Sequence, residues 1–142
     1  MEHNQKMLSS ILKTTQMGQV GIRSVRNSAK EPKLREALES QLREYDTIEQ
    51  EAHAIADTMG WKLPELQPGI KMMSDTMTRM KMRFGGSDSK IADMMIQGNT
   101  KGMVTSLKDQ HHLGGCNEQI DALSRKLLDR ETANIRQMEP FL

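Results

Sequence analysis

The sequence predicts an all-α fold, a bundle of four long helices, and three observations support this. Apolar residues recur at three- and four-residue steps along most of the chain, as in amphipathic helices. Strand and hairpin signals are missing, because no segment alternates β-branched and polar residues and no Asn-Gly or Asp-Gly turn is present. Residues 7–20 and 91–104 also match one another at a spacing of 84 positions. The matched positions pair Leu12 with Ile96, Gly18 with Gly102, and Val20 with Val104.

Proline and glycine bound the first two helices. The first helix is expected over about residues 4–28, and it stops near Lys30 because Pro32 disfavours a helical conformation at the residue before it. Pro32 suits the first turn of the second helix, where a backbone N–H is not needed. Gly60 is expected to end that helix after Met59, since glycine readily adopts the left-handed conformation found at helix C-termini.

The last two helices have capping residues at their starts. The third helix is expected over about residues 89–112, with Ser87 or Asp88 as its N-cap. The run Leu113-Gly114-Gly115 ends it, and Asn117 is the expected N-cap of the fourth helix. Side-chain oxygens of this kind accept hydrogen bonds from the free N–H groups of a first helical turn.

The lengths of the connections predict how the helices are arranged. We expect a single domain over residues 1–142, with helix pairs over about 4–59 and 89–141. Each pair is tightly joined and is therefore antiparallel, whereas the crossover over about 60–88 is long enough to travel back along the bundle. The predicted order of directions is up-down-down-up, the arrangement with one long crossover.

The crossover is predicted to contain a short, methionine-rich helix. Its apolar stripe steps by three and four residues along Ile70, Met73, Met77, Met80 and Phe84. We expect this stripe to be an interface, either against the bundle itself or between copies in a homo-oligomer, since flexible Met side chains suit adaptable surfaces. Binding to a membrane surface or a target peptide, and copper binding by the methionines, are further interpretations of the segment.

Composition excludes several classes of function. The net charge is +1, which argues against a protein dedicated to binding nucleic acid. No apolar run approaches the roughly 20 residues of a transmembrane helix, and residues 1–6 lack the layout of a signal peptide. Cys116 is the only cysteine, so no internal disulfide forms, and we expect a cytoplasmic protein.

Three runs of sequence carry a resemblance to a known superfamily: Met17-Gly18-Gln19, Glu31-Pro32-Lys33-Leu34, and Ile91-Ala92-Asp93-Met94 with the later Gly98 and Gly102. On these residues the chain resembles the ferritin-like superfamily, and within it small bacterial four-helix domains of unknown function. The resemblance covers nearly the whole chain. It implies a ferritin-like four-helix bundle with a short extra helix in the crossover. The run Met59-Gly60-Trp61 is also similar to spore-coat relatives of ferritins.

The residues needed for the di-iron chemistry of that superfamily are missing. Such a site takes a carboxylate from each of four helices, in two of them as Glu-x-x-His. Residues 4–30 contain no Asp or Glu, and Glu131 is followed three positions later by Asn134 instead of His. We therefore expect no conventional di-iron site and no cofactor. In its place we expect a buried polar layer that fixes helix register: Thr15, Gln19, Tyr45, Asn99, Glu131 and Asn134.

Glycines inside the matched helices call for an explanation, because each costs about 1 kcal/mol relative to alanine. Gly18 and Gly102 occupy equivalent positions, and Gly21 and Gly98 lie nearby. The favoured interpretation is a close approach of the first and third helix backbones. The alternative is a gap that accommodates a ligand.

Two histidine–carboxylate pairs form a candidate metal site. Glu49 and His53 are four residues apart, and Asp109 and His112 are three apart. Either spacing puts both side chains on one helix face. In the predicted topology both pairs lie toward the same end of the bundle, where a divalent transition metal is the alternative to plain solvated helix ends.

Cys116 is a second chemical candidate. It lies near the start of the fourth helix, where the helix dipole favours a thiolate, and His111 or His112 is the nearest available base. An incidental cysteine is the favoured interpretation.

Together these patterns favour a non-enzymatic structural or interaction module that is homo-oligomeric and lacks a conventional di-iron site. The first alternative is a metal-binding or metal-storage protein with a displaced His/carboxylate site. The second, which rests on resemblance alone, is a spore-coat-like or stress-associated protein.

Overall fold

The computed structural model describes residues 2–64 and 87–142 and confirms the all-α class. Four long helices are present in this part of the chain: α1 (Glu2–Val25), α2 (Pro32–Met59), α3 (Asp88–Leu113) and α4 (Glu118–Met138). Short 3-10 turns follow α1 and α4 at Arg26–Ser28 and Glu139–Phe141. No β-strand occurs in the two described ranges.

The helix ends follow the predicted capping chemistry. Helix α2 begins at Pro32 and ends at Met59. The following Gly60 adopts the left-handed conformation with φ of 70° and donates its N–H to the Asp57 carbonyl. Ser87 accepts a hydrogen bond from the Lys90 N–H at 3.1 Å. Asn117 caps α4 in the same way. One boundary differs from expectation, because the α-helical part of α1 stops at Val25 and tightens into the 3-10 turn.

Hydrogen bonds show how the neighbouring helices are aligned. Helix α1 packs beside α2 and α3, and α4 packs beside the same two helices. The Gln16 side chain donates to Glu49 at 3.2 Å, and Gln19 donates to Asp46 at 2.9 Å. The residue number rises from 16 to 19 along α1 while that of the α2 partner falls from 49 to 46. These two helices therefore run in opposite directions.

Hydrogen bonds connect α1 and its following turn to α3 near both ends of the contact between these helices. Ser10 donates a hydrogen bond to the Asp109 carboxylate on α3. Beyond the other end of α1, the backbone N–H groups of Lys30 and Glu31 donate to the two carboxylate oxygens of Asp88, at 2.8 and 2.9 Å. The start of α3 is therefore fastened to the connection between α1 and α2.

A single apolar core lies between the four helices. Its largest fully buried aliphatic side chains are Met7, Leu8, Leu12, Ile22, Leu34, Leu38, Ile48, Ile91, Ile120, Leu127 and Met138. Tyr45, on α2, is as buried as these residues at 1% exposure. None of the helices in the described ranges is long and apolar enough to cross a membrane. The predicted crossover helix, with its stripe from Ile70 to Phe84, lies outside the described residues.

Candidate functional site: a buried carboxyl facing a cleft

A hydrogen-bonded polar network lies inside the apolar core and is centred on the Tyr45 hydroxyl. The Tyr45 oxygen is 2.9 Å from Glu131 Oε1, 3.0 Å from Asn99 Oδ1 and 3.4 Å from Asn134 Nδ2. All four side chains are at most 3% exposed. The network therefore joins α2, α3 and α4 in the interior of the bundle.

The number of protons in this network limits which of its hydrogen bonds can form at the same time. The Tyr45 hydroxyl has a single hydrogen, so it donates either to Asn99 Oδ1 or to Glu131 Oε1, but not to both. If Glu131 is protonated on Oε1, it donates to the Tyr45 oxygen, and Tyr45 is free to donate to Asn99. A neutral Glu131 thus allows every contact around the hydroxyl to be a hydrogen bond.

Electrostatics favour that neutral form. Burial raises the pKa of Glu131 from its ordinary value of 4.5 to about 8, and the hydrogen bond with Tyr45 lowers it only in part. Burial also raises the pKa of Tyr45, and the neighbouring Glu131 raises it further. Among the described residues no basic side chain offsets the burial of Glu131. At pH 7 the carboxyl is therefore mainly protonated.

Two atoms of the network have no hydrogen-bond partner among the described residues: Asn99 Nδ2, a donor, and Glu131 Oε2. Leaving a buried polar atom unpaired costs about 1–3 kcal/mol, so most native structures avoid it. The oxygen of Gln41 is also unpaired, but its amide nitrogen donates to Gln137 and it lies away from the cleft described next.

A cleft of about 630 Å³ opens between α1 and α3 and reaches this network. Tyr45, Asn99 and Glu131 of the network line the cleft, and we call these three side chains its floor. Most of the remaining lining surface is apolar. It includes Met17, Val20, Val25, Met94 and Met95, four glycines (Gly18, Gly21, Gly98 and Gly102) and three hydroxyl-bearing residues (Ser10, Thr14 and Thr105). The exposed lysines Lys13 and Lys101 also line it, one on each helix.

The predicted reason for the matched glycines is wrong. The three atoms nearest to a Cβ built on Gly18 all belong to the Tyr45 ring, the closest at 2.5 Å. A Cβ on Gly102 would lie 2.9 Å from the Glu131 carboxyl carbon. These glycines make room for a side chain of the following helix and do not bring the α1 and α3 backbones into contact.

Gly21 and Gly98 differ from that pair, because a Cβ at either position would meet no atom of residues 2–64 and 87–142 within 4 Å. Both residues line the cleft. Packing in the described part of the molecule therefore does not require glycine at positions 21 and 98. This favours the second sequence-based interpretation, a gap between the helices.

All six residues of the predicted polar layer are buried, but only four of them belong to the Tyr45 network. Thr15 and Gln19 are buried as expected. Thr15 donates to the Ile11 carbonyl in its own helix, and Gln19 donates to Asp46, so neither joins the Tyr45 network. Sequence reasoning also missed that Asn99 and Glu131 face a cleft. Gly21 and Gly98, which packing in the described residues does not explain, were the signal for it.

The candidate metal residues have other partners in the structure. Glu49 accepts a hydrogen bond from Gln16, and Asp109 accepts one from Ser10. The rings of His111 and His112 contact each other edge to face, with centroids 5.0 Å apart. Within the described ranges no three His, Cys, Asp or Glu side chains are placed to hold a metal ion. A metal site at Glu49, His53, Asp109 and His112 stays a prediction from sequence.

Cys116 does not have the environment of a reactive thiol. Its Sγ donates to the Leu113 carbonyl at 3.0 Å. Burial raises the pKa of the thiol, and the nearby Asp121 carboxylate raises it further. The predicted stabilisation of a thiolate at the start of the fourth helix is therefore wrong, because burial and Asp121 raise the pKa of this thiol.

Comparisons of this chain with models of protein families, with curated proteins and with solved structures find no match.

Proposed function

We propose that this chain is a binding module that takes a small molecule into the cleft between α1 and α3. The observation that carries the proposal is the pair of unpaired buried atoms, Asn99 Nδ2 and Glu131 Oε2, beside that cleft. A ligand that hydrogen-bonds to both atoms would offset the cost of burying them.

The form of the cleft supports this proposal. Small-molecule sites typically occupy about 300–1,000 Å³ and combine mostly apolar walls with a few polar groups that fix orientation. The cleft falls within this range at about 630 Å³, and its polar floor consists of three side chains from three helices. A carboxyl whose pKa is raised to about 8 is also a common mark of functional sites.

We propose further that the four helices form a ferritin-like bundle with up-down-down-up directions. Opposite directions for α1 and α2 follow from the hydrogen bonds described above. Helix α4 lies beside both α3 and α2, because Gln110 on α3 donates to Ser124 on α4 at 3.2 Å and Lys126 on α4 contacts Glu51 on α2 at 2.7 Å. In this arrangement the centre, where the superfamily holds two metals, is occupied by the Tyr45 network. The proposed role is thus a binding and interaction module on a scaffold without the conventional di-iron site.

The binding proposal is tested by filling the cleft. The fluorescent probe 1-anilinonaphthalene-8-sulfonate is titrated into the full chain, and we expect saturable binding with a stoichiometry of one. Gly21→Leu and Gly98→Leu place an apolar side chain in the open space and should abolish this binding. Ala54→Leu, on the exposed face of α2 outside the cleft, is the matched control. Circular dichroism verifies that all three variants are folded.

Two results would overturn the proposal. One is the absence of saturable probe binding to the wild-type chain. The other is probe binding that the folded Gly21→Leu and Gly98→Leu variants retain at wild-type strength, because the probe would then occupy a different surface.

A further inference from the structure

We propose that the cleft selects a molecule with a neutral amide head, an apolar middle and an anionic end. The amide meets Asn99 and Glu131 on the floor, and the anion lies between Lys13 and Lys101. This inference rests on the proposed function, since it names the chemical class of the ligand for the same cleft.

The unpaired atoms of the floor determine which head group the ligand carries. Asn99 Nδ2 is a donor and needs an acceptor. When the Glu131 proton is on Oε1 and is donated to Tyr45, Glu131 Oε2 is an acceptor and needs a donor. A carboxamide provides a carbonyl oxygen and an N–H side by side, so one group satisfies both atoms.

Charged heads fit the floor less well. A carboxylate would bring a second acid beside Glu131 Oε2, and no basic side chain of the described residues lies at the floor to compensate. An ammonium group would have no acceptor to offer Asn99 Nδ2. To form an ion pair, it would also need Glu131 to lose its proton, which raises the cost of binding at pH 7 because the pKa of this carboxyl is about 8.

The charged side chains that line the cleft determine the chemistry of the other end of the ligand. Among the described residues, the charged side chains that line it besides Glu131 are Lys13 from α1 and Lys101 from α3, while α2 contributes only Tyr45. Both lysines are exposed, so they attract an anion at the mouth without being desolvated. Their attraction is expected to weaken as salt is added.

The apolar walls determine what joins the two ends. The methionine and valine side chains that line the cleft offer no hydrogen bonds to a ligand chain. An alkyl chain or another apolar linker is therefore the matching middle section. Flexible Met17, Met94 and Met95 allow chains of somewhat different shape to pack.

Four eight-carbon probes test the inference by isothermal titration calorimetry on the full chain at pH 7. They are octanamide, octanoate, octylammonium and suberamate, which has an amide at one end and a carboxylate at the other. We expect octanamide to bind at least about tenfold more tightly than octanoate or octylammonium. Suberamate should bind at least about tenfold more tightly than octanamide in 50 mM NaCl. In 500 mM NaCl most of the advantage of suberamate should disappear.

Paired variants separate the two ends of the ligand. Lys13→Met with Lys101→Met should reduce suberamate to the affinity of octanamide and leave octanamide unchanged. Lys108→Met, an exposed lysine of α3 outside the cleft, is the control and should change neither.

The outcomes distinguish this inference from the proposed function. If octanoate or octylammonium binds more tightly than octanamide, the amide head is wrong, although the cleft still binds ligands. If anilinonaphthalene sulfonate binds in the cleft but none of the four probes does, the proposed class is overturned alone. If neither it nor any of the four probes binds, both proposals fall.

Discussion

The hydroxyl oxygen of Tyr45 lies 2.9 Å from Glu131 Oε1, and this contact joins α2 to α4 in the middle of an apolar core. It joins two side chains, and burial disfavours the ionised form of each. Burial raises the pKa of both, so the pair shares hydrogen bonds as neutral groups at pH 7. Burial thus holds a protonated acid beside the cleft, and the contact joins it to a neutral phenol.

Removing the Tyr45 hydroxyl should destabilise the protein. Tyr45→Phe preserves the ring that fills the core, but it leaves Asn99 Oδ1 and Glu131 Oε1 without the hydroxyl. We expect a loss of about 1–3 kcal/mol in the free energy of unfolding, measured by urea denaturation. Thr58→Ala, which removes an exposed hydroxyl from the same helix, is the control and should change stability by less than about 0.5 kcal/mol. A Phe variant as stable as the control would show that the network contributes nothing.

Stability should depend on pH through Glu131. The folded protein retains this proton up to about pH 8, whereas an unfolded carboxyl loses it near pH 4.5. The folded state therefore binds more protons between these values, and stability should fall as pH rises through this range and level off above it. The total effect is roughly 3–5 kcal/mol at about 1.4 kcal/mol per pKa unit.

Glu131→Gln tests this dependence, because glutamine resembles the neutral acid and does not titrate. Urea denaturation of wild type and variant between pH 5 and 9 should give curves that diverge as pH rises, with wild type losing more stability. Glu118→Gln, at the exposed start of the same helix, should follow wild type. Parallel curves for wild type and Glu131→Gln would show that the carboxyl titrates normally.

The same substitution should have opposite effects at glycines three or four residues apart. Gly21→Ala and Gly98→Ala add a methyl group to open space and remove a residue that disfavours helix, so each should stabilise by about 0.5–1 kcal/mol. Gly18→Ala forces the methyl group against the Tyr45 ring and should destabilise by about 1–3 kcal/mol, whereas Gly102→Ala meets the end of the more flexible Glu131 side chain and should destabilise by less. Thermal denaturation of the four variants decides the sign at each site. Equal effects within either helix would contradict the geometry.

Asp88 should stabilise the junction of three helices. Asp88→Ala leaves the N–H groups of Lys30 and Glu31 without their carboxylate and removes an acid from the first turn of α3. We expect a loss of about 1–2 kcal/mol and faster hydrogen exchange at those two amides. Asp93→Ala removes an exposed acid that bonds only within α3 and is the control. Unchanged exchange at both amides would show that the contact does not persist in solution.

The local features of this fold were predictable from the sequence. Pro32 and Gly60 restrict their own backbones, and Asn117 caps its helix with its own side chain, so each acts within a few residues. The buried stripes of the helices follow from periodicity in the same way. The end of the regular helix at Val25 was less predictable, because no proline or glycine marks it.

The candidate site was only partly predictable. Periodicity places Tyr45, Asn99 and Glu131 on inward faces, but it does not determine which of them meet. Their contacts span 54 and 86 residues of chain and depend on how whole helices are aligned. Gly18 shows the same limit: its spacing marks a place where something approaches closely, while the identity of that neighbour, Tyr45, requires the packed structure.

The two equivalent glycines, Gly18 and Gly102, face different kinds of side chain in the two helix pairs of the chain. Gly18 faces Tyr45 on the helix that follows it, and Gly102 faces Glu131 on the helix that follows it. The phenol and the carboxyl are therefore counterparts, one from each half, and they meet each other. Two identical halves would bring together either two carboxyls, which repel when ionised, or two phenols. Unlike halves place a single acid beside a hydroxyl, so this asymmetric pair depends on the difference between Tyr45 and Glu131 at equivalent places in the two helix pairs.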